Sequence, residues 1–233
     1  MQTLIILLVA LLPAVLLWLY IWKKDPHKEP ATELWKATVL GILICIPVVI
    51  LELGINAVIG EPTTVANTTL KAFLGAALPE EAFKLLALWL VLRRNKYFDE
   101  YFDGIVYAVC VSLGFAAVEN VGYLMGEEEW VTVAIARSLL AVPGHYAFAV
   151  LMGYYYSLYH FVDRSPFVAA CVLLVPVLAH GLYDAFAMSG LVNEVVGGIG
   201  FVLLIFFCIK MHRMARKRIR TLIGRDEGCE VVT

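Results

Sequence analysis

Charge is what this sequence has least of. Only 16% of its 233 residues are Asp, Glu, Lys or Arg, against 61% hydrophobic, and the mean hydropathy is +0.82. Soluble domains carry about 25% charged and about 45–50% apolar residues, so a soluble globular class is excluded. Cysteine is also scarce. Cys45, Cys110, Cys171, Cys208 and Cys229 show no CxxC spacing and are odd in number, which argues against a disulfide framework and a thiolate metal site. No GxSxG-type element is present, so a serine nucleophile of the hydrolase kind has no support. Internal repeats and low-complexity stretches are missing too. No Lys or Arg precedes the first apolar run, whereas Lys23 and Lys24 follow it. That is a stop-transfer flank, so residues 2–22 read as a spanning helix and not as a signal peptide.

What the chain does have is length in apolar runs. About 20 such residues cross a bilayer as a helix, and seven stretches qualify: 2–22, 35–59, 68–92, 104–126, 131–158, 166–188 and 192–211. The expectation is an all-α, polytopic helical bundle with one transmembrane domain over 1–211 and a basic tail over 212–233. All but Lys71, Lys84 and Arg137 of the 18 basic residues fall in the first, third and fifth connections and the tail. The positive-inside rule places those segments in the cytoplasm and the N-terminus outside. The basic tail reads as an orienting, headgroup-facing segment of a multi-pass plasma-membrane protein. It lacks the aromatic interleaving of a nucleic-acid surface, so the bilayer is the expected partner and nucleic acid is not. Asn67-Thr-Thr is a weak glycosylation signal.

Against this background the polar residues inside the spans stand out. Glu80, Glu81 and Lys84 lie in the third, Glu119 in the fourth, Arg137 and His145 in the fifth, and His180 and Asp184 in the sixth. Ionisable groups at bilayer depth are costly, about 2.5–3.5 kcal/mol each on insertion scales, and they mark functional sites. At about 1.5 Å of rise per residue, their distances below the outer boundary run from ~6 Å for Asp184 to ~24 Å for Lys84. All therefore occupy one zone between the midplane and the outer surface. Glu80 and Lys84 have the favourable i,i+4 order for an intrahelical pair, while Glu81 points about 100° away. Pro79 frees a carbonyl one turn earlier, near Gly75, and favours a kink. His180 and Asp184 share a face. Glu119 and Arg137 share a depth, which leaves open a structural ion pair or a part in chemistry. Glu52 and Asn56 read as a packing or cavity-lining pair, and Tyr154, Tyr155 and Tyr156 as core and interface anchors.

Carboxylates within reach of imidazoles activate water in two ways, and the residues leave both open. In one, Zn2+ is bound by Glu80, His145 and His180, with the second glutamate as base. In the other, a glutamate takes the proton directly and the imidazoles stabilise the oxyanion. A proton- or ion-coupled transporter and a non-catalytic membrane scaffold are the competing classes, since buried acid–His–Lys sets also serve as relays.

Six short motifs occur together. Pro79-Glu-Glu-Ala-Phe-Lys84 resembles the EExxK element of PrsW-type intramembrane proteases, relatives of the CAAX prenyl proteases. Asp25-Pro-His-Lys-Glu29-Pro30, Asp103-Gly-Ile-Val-Tyr107 and Phe115-Ala-Ala-Val-Glu119 resemble further elements of that family. Pro143-Gly-His145 and His180-Gly-Leu-Tyr-Asp184 complete the set. The resemblance implies that Glu80 and Glu81 activate water. It gives His145 and His180 metal binding or oxyanion stabilisation, with Asp184 supporting His180; Lys84, Glu119 and Arg137 are expected as further supporting residues on their own placement. It also implies a membrane-spanning protein as substrate, such as an anti-sigma factor cut at site 1. Lys84 stands where the CAAX relatives carry arginine further along, so prenyl-protein processing is not implied.

Overall fold

The computed structural model describes residues 2–228, and among these there is no β-strand. The chain forms α1 (Gln2–Lys24), α2 (Ala31–Ile59), α3 (Val65–Ala72), α4 (Leu78–Leu92), α5 (Asp103–Gly126), α6 (Trp130–Ala136), α7 (Val142–Phe161), α8 (Pro166–Ala187) and α9 (Glu194–Asp226). Two π-helical turns, Phe73–Ala77 and Arg137–Ala141, join α3 to α4 and α6 to α7, so seven rods result. Six of them are long and apolar enough to cross a membrane. The other, 65–92, carries Lys71, Glu80, Glu81 and Lys84 and so falls short on composition alone. Cys229 lies outside the described residues; the other four cysteines are free. The tail is helical through Asp226, continuous with α9.

α5 is the centre. Every residue from Asp103 to Ala116 is buried, as expected of a helix apolar all round, and it packs against α1, α2, α4 and α7. Lipid tails are as apolar as leucine, so helices in a membrane gain by close approach at small residues. Gly41 of α2 and Gly114 of α5 provide it, since a Cβ at either would clash with main-chain carbonyls of Val111 and Thr38. Outward faces are lined with exposed apolar side chains, such as Leu4, Leu8, Leu12 and Leu16 of α1 and Ile42, Ile46 and Ile50 of α2.

Both π turns immediately precede a helix whose second residue is a proline, Pro79 or Pro143. Proline cannot donate to the carbonyl four residues back, and a widened turn absorbs the missing bond. The Gly75 carbonyl, expected to lose its donor, accepts from Asn56 Nδ2 at 3.2 Å. The connections carrying the basic residues meet at one end of the bundle: His27 pairs with Glu100, and Asp226 accepts from the main chain of Tyr101 and Phe102.

Candidate active site

The π turns set α4 and α7 so that their first turns face each other across the bundle. Glu80 and Glu81 open α4, Lys84 stands one turn on, His145 opens α7, and His180 projects from α8. All five are buried, with none more than 4% exposed. Lys84 Nζ lies at their centre, 2.8 Å from Glu80 Oε2, 2.9 Å from Glu81 Oε1 and 3.1 Å from His145 Nδ1. It also sits 4.4 Å above the Phe115 ring, a cation–π contact. His145 Nε2 reaches Glu119 Oε2 at 2.8 Å. That same oxygen accepts from Arg137 Nη2 at 2.8 Å, and Arg137 Nε donates to Asn120 Oδ1 at 2.8 Å. On the other side His180 Nδ1 meets Glu81 Oε1 at 2.9 Å, and its Nε2 meets Asp184 Oδ2 at 3.3 Å. One continuous network thus links α4, α5, the second π turn, α7 and α8.

Every residue expected at the site joins this network. The angular argument separated Glu80 from Glu81, yet both carboxylates bend to one ammonium. Glu119 and Arg137 do form an ion pair, and the same Glu119 oxygen also contacts His145. Sequence reasoning did not single out Asn120, which fixes Arg137 while donating to the Ala10 carbonyl at 2.7 Å. Nor did it find Phe148, stacked on His180 at 4.8 Å, or Ser112, which donates to the His145 carbonyl at 3.1 Å. Small polar or aromatic residues in apolar spans carry little signal of their own.

A cavity of about 940 Å3 opens beside the network. Glu80, Glu119, Arg137, His145, His180 and Asp184 all line it, while Glu81 and Lys84 do not. Apolar side chains including Val49, Phe148 and Leu204 form much of the wall, and Glu52 and Asn56 also contribute. Lys71, Glu127 and Met188 carry it towards the end away from the basic connections.

Zinc is the metal that this donor chemistry suggests. One oxygen or nitrogen from each of Glu80, Glu81, His145 and His180 lies within 4.8 Å of the others. The fit is nevertheless poor, because Lys84 Nζ already fills the point to which three of those four groups turn. An ammonium and a divalent cation would repel each other there, so zinc would require Lys84 to swing out of a site where it is 1% exposed.

A buried carboxylate–ammonium–imidazole cluster beside a cavity, set within an apolar helical bundle, defines a multi-pass membrane protein with a polar centre at depth. The particular family follows from comparison. A family model described as "PrsW family intramembrane metalloprotease" matches residues 29–211, and the chain belongs to the PrsW family. It is similar to Protease PrsW of Geobacillus kaustophilus, 36% identical over 74% of this chain and 75% of that protein. It is also similar to Protease PrsW of Oceanobacillus iheyensis, 31% identical over 94% of this chain and 99% of the relative. Protease PrsW of Bacillus subtilis is 32% identical over 88% and 92% respectively. No solved structure matches significantly. The chain is accordingly an intramembrane peptidase.

Proposed function

We propose that Glu80 is the base of a glutamate-dependent intramembrane protease, with Lys84 in the position that a metal would otherwise take. The observation that carries this is the unequal access of the paired acids: Glu80 lines the cavity, and Glu81 is fully buried behind it. Glu80 takes a proton from a cavity water, and the hydroxide attacks the scissile carbonyl. His180 Nε2–H is the oxyanion donor, since its contact with Asp184 is loose at 3.3 Å and both residues line the cavity. Collapse of the intermediate breaks the C–N bond, and the proton on Glu80 passes to the departing amine. Glu81 holds His180 and Lys84, while Glu119 and Arg137 hold His145. Four carboxylates face two permanent cations, and the imidazoles make up the balance when protonated.

The substrate is a membrane-anchored protein, unwound where it enters the cavity; an anti-sigma factor cut on its extracytoplasmic side fits the outer-half position. The protein sits in the plasma membrane with its basic end in the cytoplasm, which accords with the gathering of basic connections at one end. Residues 1–211 form the protease domain, and 212–233 extend its last helix as a basic tail. Incubation of purified protein with a single-span substrate tests the reading. Cleavage is expected from the parent and is lost in Glu80→Gln and His180→Ala. Undiminished cleavage by both variants would reject it. Proton-coupled uptake into proteoliposomes without any cleavage would favour a transporter instead.

A further inference from the structure

Two motifs noted in the sequence, Asp25-Pro-His-Lys-Glu29 and Asp103-Gly-Ile-Val-Tyr107, play no part in the network above. They meet at the basic end of the bundle. One carboxylate oxygen from each of Glu29, Asp99 and Asp103 lies within 4.8 Å of the other two. Glu29 and Asp103 are buried, whereas Asp99 is exposed. Asp103 Oδ2 accepts from the main-chain N–H of Asp99 at 3.1 Å and of Glu100 at 2.8 Å. Its Oδ1 has no donor at all among the described residues, although Asp103 is 0% exposed. Among the described residues the Glu29 carboxylate accepts from the Tyr107 hydroxyl. Nearby cations are engaged elsewhere: Lys28 Nζ donates to the Asp25 carbonyl, and His27 pairs with Glu100 at 2.8 Å. Among the described residues these two facing, buried acids thus lack a positive partner, and a buried unpaired charge is costly.

We propose that Glu29, Asp99 and Asp103 bind a hard divalent cation, Mg2+ or Ca2+, which ties the α1–α2 connection to the start of α5. An all-carboxylate set suits these oxygen-seeking ions and not zinc, and exposed Asp99 leaves one side open for the waters that complete their coordination. Asp25 supports the site from behind, accepting from the His27 and Glu29 main-chain N–H groups at 3.1 and 3.3 Å. The cation would hold the elements at the foot of α5, whose far end carries Glu119. It takes no part in the proteolysis proposed above.

Mn2+, followed by loss of its free-ion paramagnetic resonance signal, is the probe. Chelator-treated full-length protein in detergent is expected to bind one Mn2+ that Mg2+ or Ca2+ displaces. Asp99→Asn weakens that affinity about tenfold or more and Asp103→Asn abolishes it, whereas Glu80→Gln leaves it unchanged. Asp99 is exposed, so its variant folds and keeps the test decisive even if Asp103→Asn does not. Absence of stoichiometric Mn2+, or binding indifferent to Asp99→Asn, would overturn the proposal and leave Glu29 and Asp103 sharing a proton. Binding lost in Glu80→Gln would overturn it too, by moving the ion to the other centre.

Discussion

Replacing each of the paired glutamates by its amide separates two roles that adjacency in sequence merges. Glu81 is 0% exposed and bonds Lys84 and His180 at 2.9 Å each. Its second oxygen has no partner among the described residues. Removing its charge leaves an ammonium and an imidazole short of a counter-ion in a dry environment. Breaking one side of a buried pair costs about 3–5 kcal/mol, so Glu81→Gln should act mainly on stability. Glu80 bonds Lys84 at 2.8 Å, has His145 Nδ1 only at 4.0 Å, and faces the cavity, where water can solvate the amide. Loss of one charged hydrogen bond is worth about 1.5–3 kcal/mol, while loss of a general base removes about 10²–10⁴-fold in rate. Thermal unfolding in detergent and single-turnover cleavage, measured on both variants, give the comparison. Expected are a well-folded, inactive Glu80→Gln and a Glu81→Gln whose midpoint falls further. A Glu80→Gln that cleaves normally, or a Glu81→Gln that is as stable as the parent and alone inactive, would refute the assignment.

Gly41→Ala forces α2 away from the Val111 carbonyl of α5, and overpacking of this kind costs about 1–3 kcal/mol; a lowered unfolding midpoint checks it. Asn56→Leu strips the Gly75 carbonyl of its donor beside the π turn, a loss of about 1–3 kcal/mol that should also reduce cleavage by loosening the start of α4. At the other end, burial lifts the Glu29 carboxyl from its ordinary 4.5 to about 7, with Asp25 adding to the effect against the Tyr107 hydroxyl. Its folded-state value lies above the unfolded one, so its contribution is fully present below about 4.5 and is lost as pH rises through about 7. In chelated protein the unfolding midpoint should therefore fall across that window, and Glu29→Gln should flatten the fall.

The membrane class and the rods were legible because span length and hydropathy are bulk properties. The depth agreement among Glu80, Glu119, His145 and His180 was legible as well, since helical rise alone fixes it. The division of the third and fifth rods was only half readable: Pro79 and Pro143 announce a lost bond, but not that a π turn would absorb it. What angular spacing could not supply was the reach of long side chains. Glu81 lies 100° around the helix from Glu80, yet three residues before Lys84 it wraps to the same ammonium. The position of that ammonium, where a zinc ion would stand, depends on His145 arriving from another helix, which no local pattern encodes. The meeting of Glu29 with Asp103 is likewise tertiary, joining motifs 78 residues apart at Glu29 and Tyr107.

The central claim is that Glu80 activates water beside Lys84 without a metal. It is tested most directly by measuring bound zinc and substrate cleavage on the same chelator-treated preparation. The account predicts full cleavage by protein free of zinc, abolished by Glu80→Gln. Stoichiometric zinc that restores lost activity, and that disappears in His145→Ala or His180→Ala, would contradict it.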